Sequence, residues 1–224
     1  MYASCQTSKN FIKQQAKTLA LFDFDGTLCL TDSFTQFIFY TLSKKHIFRQ
    51  GVKILPWIQG YYLNLYPAHA MRAKLYSQMF SQQKYPEIEQ LAWDYSHQLL
   101  EQLNPVLLAQ LKQHQDFGHD VAIVSASLDL YLQPIAQHLN VALICTETEK
   151  QQDILTGQYS SPDCSSEQKK LRILANYNIA EYDQIYAYGN SHEDEEMLNL
   201  AQHRFMVGQD QYLPTIDTLK LTGT

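Results

Sequence analysis

Two carboxylates lie two positions apart at the end of an apolar run in LFDFDGTLCL, residues 21–30. Asp23 and Asp25 would point to the same side of a strand and repel each other unless the strand ends between them or a cation binds there. Gly26 supplies a sharp turn, so we predict a short buried strand over residues 19–24 with both carboxylates at its carboxyl end. Binding sites of open α/β sheets lie at that end, although Asp-Gly by itself often marks only a turn.

Hydroxyl groups follow a second apolar run, VAIV, which ends in Ser125 within the stretch SASLDLY. A hydroxyl and free backbone N–H groups just before a helix form a phosphate-binding corner, because helix N-termini carry unpaired donors and partial positive charge. Ser125 or Ser127 acting only as a helix N-cap is the alternative interpretation. Lys169 lies near the start of a later predicted helix, where lysines are usually solvated surface residues.

A third polar cluster begins where the strand-like run QIYAY enters GNSHEDEEML. Asn190 then lies at a strand end, and Asp194 follows four residues later. Acidic residues in a first helical turn also suit the helix dipole without any metal. Each cluster alone is therefore ambiguous, and their order along the chain is what distinguishes them.

The segments between these clusters predict an α/β fold. Residues 31–103 show helical periodicity with little strand signal, which indicates a helical insert. After Asn104-Pro105 strands alternate with helices, as is typical of a parallel, doubly wound sheet. We predict helices over 105–117, 128–139, 166–178 and 194–202, strands over 121–125, 141–146, 185–188 and 204–207, and a hairpin-like turn in DILTGQY. The predicted organisation is a core domain of residues 17–30 and 104–224 with a helical cap subdomain of residues 31–103.

The ordered motifs resemble those of the haloacid dehalogenase superfamily of phosphatases and phosphotransferases, over residues 19 to about 207. They are Asp-x-Asp-Gly-Thr, a Ser at a strand end, a Lys, and Gly-Asn-Ser-x-x-Asp. VSASLDLYLQPIAQHL, TGQYSSPDC and YGNSHEDEEMLNLA are similar to the phosphoserine-phosphatase-like branch, and most to its bacterial hydrolases that include phosphatidylglycerophosphatase C. The resemblance implies a Rossmann-like core with a helical cap between the first and second motifs. One departure is Asn190, where the family usually has Asp.

Phosphoryl transfer, which the resemblance implies, needs a nucleophile, neutralisation of the phosphoryl oxygens and a proton for the leaving alkoxide. Asp23 would attack phosphorus to form an aspartyl-phosphate, and Asp25 would act as acid and then as base. An acid at position 25 favours a phosphatase over a dehalogenase or an ion-pumping ATPase. Ser125 and Lys169 would neutralise phosphoryl oxygens. We assign further substrate contacts in the same loops to Gly26, Thr27 and Ala126.

A magnesium ion completes the predicted chemistry. Mg²⁺ prefers octahedral oxygen ligands and keeps several of its waters. The carboxylate of Asp23, the backbone carbonyl of Asp25, and Asn190 and Asp194, directly or through water, make a suitable set. A cation and a phosphate would then hold the two neighbouring carboxylates together, and we predict an Mg²⁺-dependent phosphomonoester phosphatase.

The predicted cap differs in charge from the rest of the chain. Residues 33–86 contain seven basic residues and no acidic one, whereas the remainder has ten basic and 23 acidic residues and sums to −13. Aromatic and basic residues alternate in IFRQGVKILPWIQGYYLNLY, as in segments that lie on anionic membranes. Packing of these aromatics within the cap, with solvated lysines, is an equal alternative. We assign Arg72 to the anionic part of the substrate.

Composition narrows the class of protein. At 224 residues and 45% hydrophobic content the chain can bury a sizeable core, and a net charge of −6 argues against a nucleic-acid partner. Four widely spaced cysteines form no metal or disulfide pattern, which indicates a reducing compartment. The first seventeen residues lack an apolar signal core. We predict a cytoplasmic protein, monomeric and in peripheral contact with the inner face of the membrane.

Three alternatives to a phospholipid phosphatase remain open at this stage. A small soluble substrate such as phosphoserine is one, because Asp32 lies where the family's phosphoserine enzymes carry an acid for the substrate ammonium. Asp32-Ser33 is equally an ordinary helix N-cap. A phosphomutase would need a different cap. A catalytically silent phospho-ligand-binding protein is suggested only by Asn190, and Asp23, Asp25 and Lys169 argue against it.

Overall fold

The computed structural model describes residues 16–63 and 65–216. Five parallel strands form one sheet in the order β3-β2-β1-β6-β7, and a separate hairpin joins β4 to β5. The strands are β1 (Thr18–Phe22), β2 (Asp120–Leu128), β3 (Ala142–Thr146), β4 (Thr148–Gln151), β5 (Ile154–Tyr159), β6 (Gln184–Gly189) and β7 (His203–Met206). The helices are α1 (Ser33–Thr41), α2 (Lys44–Tyr62), α3 (Ala68–Phe80), α4 (Tyr85–Leu100), α5 (Pro105–Asp116), α6 (Asp129–Leu139), α7 (Glu167–Asn176) and α8 (Glu195–Leu198).

Both faces of the central strand are buried, which explains why β1 reads as a continuous apolar run. Ala20 and Phe22 belong to one core cluster, together with residues of α5 and α6. Leu19 and Leu21 alternate with them and belong to a second cluster, which includes residues of α7 and α8. Helices therefore cover both faces of a parallel sheet, and the predicted doubly wound α/β class is confirmed.

Between β1 and α5 the chain forms four helices, α1 to α4. Helix α4 packs against α1 and against α6 of the core, while α3 packs against α2 and against β5. Asn104 caps α5 through its side-chain oxygen, as the Asn-Pro pair predicts. The division of the chain into a cap of residues 31–103 and a core stays a prediction.

The largest error in the predicted elements is the helix over 194–202. A 3₁₀ turn of residues 192–194 leads into α8, which has only four residues. Leu200 and Ala201 donate to carbonyls three residues earlier, at Met197 and Leu198, so the helix tightens into turns before β7. Strand β2 also continues beyond Ser125 to Leu128, with a register shift between these residues. No helix in the described part of the chain is long and apolar enough to span a bilayer.

Candidate active site

Lys169 joins two carboxylates at the carboxyl end of the sheet. Its Nζ lies 2.5 Å from Asp23 Oδ1 and 2.5 Å from Asp194 Oδ1, and all three side chains are buried. Asp23 comes directly after β1, and its Oδ2 accepts a hydrogen bond of 3.0 Å from Thr27 Oγ1. Asp194 Oδ2 accepts from the backbone N–H groups of Asn190 and Ser191, at 3.0 Å each. The sequence analysis assigned Asp23, Lys169 and Asp194 to one site, and the structure brings these three side chains into contact.

The charges in this group are unequal, because one lysine faces two carboxylates. Burial raises the pKa of Asp23, Lys169 opposes that rise, and Asp194 adds to it. Burial alone would raise the pKa of Asp194 too, but Lys169 and the Asn190 amide hold it below its ordinary value. Although burial favours neutral Lys169, the two carboxylates keep its pKa above the ordinary value. Two carboxylates thus share a single lysine, and a bound cation would favour the charged form of Asp23.

Asp25 is held by two serines that the sequence analysis did not assign to it. Ser33 at the start of α1 donates its backbone N–H to Asp25 Oδ1 at 2.7 Å, and the Ser127 hydroxyl donates to Oδ2. Burial raises the pKa of Asp25, and the hydrogen bonds from both serines partly offset that rise. The Ser33 hydroxyl donates a hydrogen bond to the Tyr131 hydroxyl oxygen, and the Tyr95 hydroxyl donates to the Ser33 carbonyl oxygen. The Asp-Ser pair at 32–33 and the SAS stretch were the available signals.

Ser125 and Ala126 line the same cavity as the two aspartates. Ser125 Oγ accepts a hydrogen bond of 3.1 Å from the Ser127 N–H, which fixes the turn within β2. Thr146 Oγ1 donates to the Ala126 carbonyl at 2.7 Å and braces the same turn from β3. Ser125 and Ser127 thus lie at the cavity and neither of them caps α6, whereas phosphate binding at this corner stays a prediction.

Asn190 and Gly26 fit closely together. Gly26 has a φ of +74°, and a Cβ atom there would lie 2.0 Å from Asn190 Nδ2. Glycine is required twice, for the left-handed backbone and for the space that the amide occupies. Asn190 also lines the cavity, so the residue that departs from the family motif lies at the predicted position.

Arg72 lies at the cavity but is already paired with two carboxylates. Its Nη2 lies 2.9 Å from Asp163 Oδ1, and its Nη1 lies 3.0 Å from Glu193 Oε2. Burial disfavours the charged guanidinium, but the two carboxylates raise the pKa of Arg72 above its ordinary value. The predicted contact with an anionic substrate therefore competes with a bridge from α3 to two loops of the core. This bridge was not predictable from the sequence, since Asp163 and Glu193 are far from Arg72 in the chain.

The cavity has a volume of about 550 Å³ and two chemically different walls. Its polar wall is made by the aspartates, serines and lysine described above. Its other wall comes largely from α1 to α3, through Phe34, Ile58, Tyr61, Tyr62, Met71 and Leu75. Polar groups that converge at one end of an apolar cavity are typical of a binding site for a small molecule.

The described residues offer oxygen ligands rather than a ready-made metal cluster. No three His, Cys, Asp or Glu side chains among residues 16–63 and 65–216 are grouped so as to hold an ion. Mg²⁺ is commonly held by one or two carboxylates with waters and substrate phosphate oxygens, so this observation does not conflict with it. Asp23 and Asp194 supply the carboxylates and Asn190 an amide oxygen, and these all-oxygen donors fit Mg²⁺.

A family model described as haloacid dehalogenase-like hydrolase matches residues 20–199. The chain therefore belongs to the haloacid dehalogenase-like hydrolases, and the predicted superfamily and enzyme class are confirmed. No curated protein matches the sequence.

Solved structures show the same fold. A protein of unknown function from Bordetella pertussis Tohama I has a TM-score of 0.68 at 20% identity, over 85% of this chain and 90% of that one. A probable phosphoserine phosphatase from Vibrio cholerae has a TM-score of 0.65 at 17% identity, over 84% of this chain and 55% of that one. A phospho-aspartyl intermediate analogue of phosphoserine phosphatase has a TM-score of 0.62 at 16% identity, over 86% of this chain and 87% of that one. The fold is thus one that phosphatases use.

Proposed function

We propose that this protein is a phosphomonoester phosphatase that works through an aspartyl-phosphate. The observation that carries the proposal is the position of Lys169, 2.5 Å from both Asp23 and Asp194 at the polar wall of the cavity. A buried lysine at this point can neutralise phosphoryl oxygens while it orients the carboxylate that attacks. Asp25, held by two serines beside it, supplies the second carboxyl group that the reaction needs.

In the first step a carboxylate oxygen of Asp23 bonds to phosphorus as the ester P–O bond breaks. Asp25, as a carboxylic acid, gives its proton to the leaving alkoxide. In the second step Asp25 takes a proton from water, and the hydroxide attacks phosphorus and releases phosphate and the Asp23 carboxylate. Ser33 and Ser127 hold Asp25 in place for both proton transfers.

Mg²⁺ would be held by the Asp23 carboxylate, the Asp25 backbone carbonyl, and Asn190 and Asp194 directly or through water. When bound, it would neutralise charge on the phosphate. Ser125, Lys169 and the Ala126 N–H group would bind the remaining phosphoryl oxygens. The predicted substrate contact of Thr27 is not supported, because Thr27 is fully buried and its N–H donates to the Phe24 carbonyl oxygen at 3.2 Å.

The apolar wall supports a substrate whose phosphate carries an apolar group, such as phosphatidylglycerophosphate. Six apolar or aromatic residues of α1 to α3 line the cavity together with the polar groups. A small zwitterion such as phosphoserine would need a free carboxylate for its ammonium group. Asp32 lines the cavity, but its carboxylate accepts hydrogen bonds from the Thr35 N–H at 3.0 Å and the Thr35 hydroxyl at 2.6 Å, as a helix N-cap does. Asp32 therefore acts as the N-cap of α1, and the apolar lining of the cavity is the observation that favours the lipid phosphate over phosphoserine.

Two nearly isosteric variants test the proposal. Asp23→Asn is expected to lower hydrolysis of para-nitrophenyl phosphate by at least about 10⁴-fold while the fold survives, because the nucleophile is lost. Asp32→Asn is the matched control in the same cavity, and since Asn also caps helices it should remain active. Activity of Asp23→Asn near that of the wild type would reject the covalent mechanism.

The same pair of proteins distinguishes the substrates. Wild type should release more phosphate from phosphatidylglycerophosphate in detergent micelles than from phosphoserine. A selective loss of phosphoserine hydrolysis in Asp32→Asn, with para-nitrophenyl phosphate hydrolysis unchanged, would instead favour the phosphoserine alternative. An absence of Mg²⁺-dependent turnover on every phosphomonoester would favour a silent binding protein.

A further inference from the structure

One face of α2 exposes apolar side chains to solvent. Phe48 is 75% exposed, Val52 57%, Leu55 49% and Tyr62 79%. At about 100° of rotation per residue these positions share one side of the helix. The opposite side is buried at Gln50 and Ile54. We call Phe48, Val52, Leu55 and Tyr62 the α2 face.

Basic side chains border the α2 face. Lys44 and Lys45 lie at its amino-terminal end, and Arg49 lies on the neighbouring side of the helix, whereas Lys53 lies farther round it; all four are exposed. No acidic residue occurs from position 33 to 86, although the rest of the chain sums to −13. The segment that contains α2 is thus positively charged, whereas the rest of the chain is negatively charged.

We propose that the α2 face binds the surface of an anionic lipid bilayer. A helix with an apolar stripe and a basic border lies in the plane of such a surface, with the stripe among the acyl chains and the bases at the headgroups. The acidic remainder of the protein would be repelled by the same surface, which fixes one orientation. A second copy of the chain fits less well, because two basic borders would repel each other.

The α2 face is continuous with the cavity. Tyr62 belongs to both, and Ile58 and Tyr61 of the same helix also line the cavity. Docking of the helix would therefore bring the cavity mouth to the lipid surface, where an amphiphile could enter without crossing water. Only this last step rests on the proposed phosphatase; the binding itself does not.

Vesicle co-sedimentation of the full chain tests the binding. Vesicles of equal parts phosphatidylglycerol and phosphatidylcholine are expected to sediment the protein at low salt, and pure phosphatidylcholine vesicles at least about tenfold less. High salt should release it, because surface charges are screened. Absence of binding to the anionic vesicles at low salt would overturn the proposal.

Matched variants test which surface binds. Val52→Ser/Leu55→Ser should weaken binding about tenfold or more. Val106→Ser/Leu171→Ser is its control, since these side chains are 58% and 48% exposed on other helices. Lys44→Gln/Lys45→Gln should also weaken binding, and Lys112→Gln/Lys150→Gln removes the same charge elsewhere. Equal loss of vesicle binding in a variant and its control would show that the α2 face is not the binding surface.

Two further measurements separate this proposal from its competitors. Asp23→Asn should bind vesicles like the wild type, because binding does not depend on catalysis. The vesicle result therefore tests the α2 face even if the protein is not a phosphatase. Hydrolysis of soluble para-nitrophenyl phosphate by Val52→Ser/Leu55→Ser should stay near wild type, which shows that the fold is intact. A wild-type dimer in sedimentation velocity that becomes monomeric in this variant would assign the α2 face to self-association and overturn the proposal.

Discussion

The side-chain amide of Asn190 lies against Gly26, where a Cβ atom would come within 2.0 Å of Asn190 Nδ2. The turn after β1 and the turn after β6 are thus fitted to each other at the carboxyl end of the sheet. A side chain at position 26 would displace Asn190 from the cavity wall or open the first turn.

Gly26→Ala is therefore expected to lower stability and to lower activity at least about tenfold. The left-handed φ of +74° costs an L-residue about 1 kcal/mol or more, and the clash with Asn190 adds to this. Gly118→Ala is the matched control, because Gly118 has a φ of +71° with nothing within 4 Å of its Cβ position. Thermal unfolding and para-nitrophenyl phosphate assays should show both variants destabilised but only Gly26→Ala impaired. Full activity in Gly26→Ala would mean that the contact is not needed at the site.

Asn190→Asp is expected to bind Mg²⁺ more tightly than the wild type. An amide oxygen can ligate Mg²⁺ but lacks the charge that helps a carboxylate compete with water. Nearby glutamates could have replaced that charge, but Glu193 pairs with Arg72 and Glu196 with Lys170. Titration calorimetry with Mg²⁺ measures binding without turnover, and Asn199→Asp adds the same charge at an exposed position outside the cavity as a control. Equal affinities of wild type and Asn190→Asp would show that position 190 does not bear on the metal.

Lys169→Met is expected to be strongly destabilised, by about 3–5 kcal/mol, because it leaves Asp23 and Asp194 buried and unneutralised. Adding Asp194→Asn should restore part of the free energy of unfolding but not the activity. Lys170→Met is the control, since its partly exposed pair with Glu196 contributes little. Denaturant unfolding measures the wild type, Lys169→Met, Asp194→Asn, their double variant and Lys170→Met. Additive effects of the Lys169 and Asp194 changes would contradict the contact between them.

Much of the sheet was predictable, because buried parallel strands are short apolar runs and each motif follows one of them. Asp23, Lys169 and Asp194 were nominated by the order of the motifs, and the structure brings them into contact. The role of Ser33 and Ser127 in holding Asp25 was not predictable, because short polar residues are common in turns and only the fold brings Ser33 to Ser127. The ion pairs of Arg72 were missed for the same reason, because Asp163 lies 91 positions and Glu193 lies 121 positions from Arg72 in the chain.

A buried histidine predicts how stability depends on pH. His114 is fully buried, its Nε2 lies 2.8 Å from the Tyr188 hydroxyl, and its Nδ1 lies 2.8 Å from His119 Nδ1. Burial and, to a smaller extent, the neighbouring His119 together lower the pKa of His114 to about 3. Burial also lowers the pKa of His119, and the Tyr186 ring packs against His114. The folded protein therefore keeps His114 neutral under mildly acidic conditions.

The direction of the pH dependence depends on how His114 is protonated in the folded and in the unfolded protein. Above pH 6.5 His114 is neutral in both, so it contributes no pH dependence. Between about pH 6.5 and 3 the unfolded chain binds a proton that the folded chain excludes, so the free energy of unfolding falls as the pH falls, by at most about 1.4 kcal/mol per pH unit from this residue. Denaturant unfolding of wild type and His114→Gln between pH 7.5 and about 4.5 measures it. The variant should be less stable at pH 7.5 but lose stability more slowly below pH 6.5, whereas His138→Gln, at an exposed position, controls for loss of a histidine. Parallel curves for wild type and His114→Gln would show that His114 does not exclude the proton.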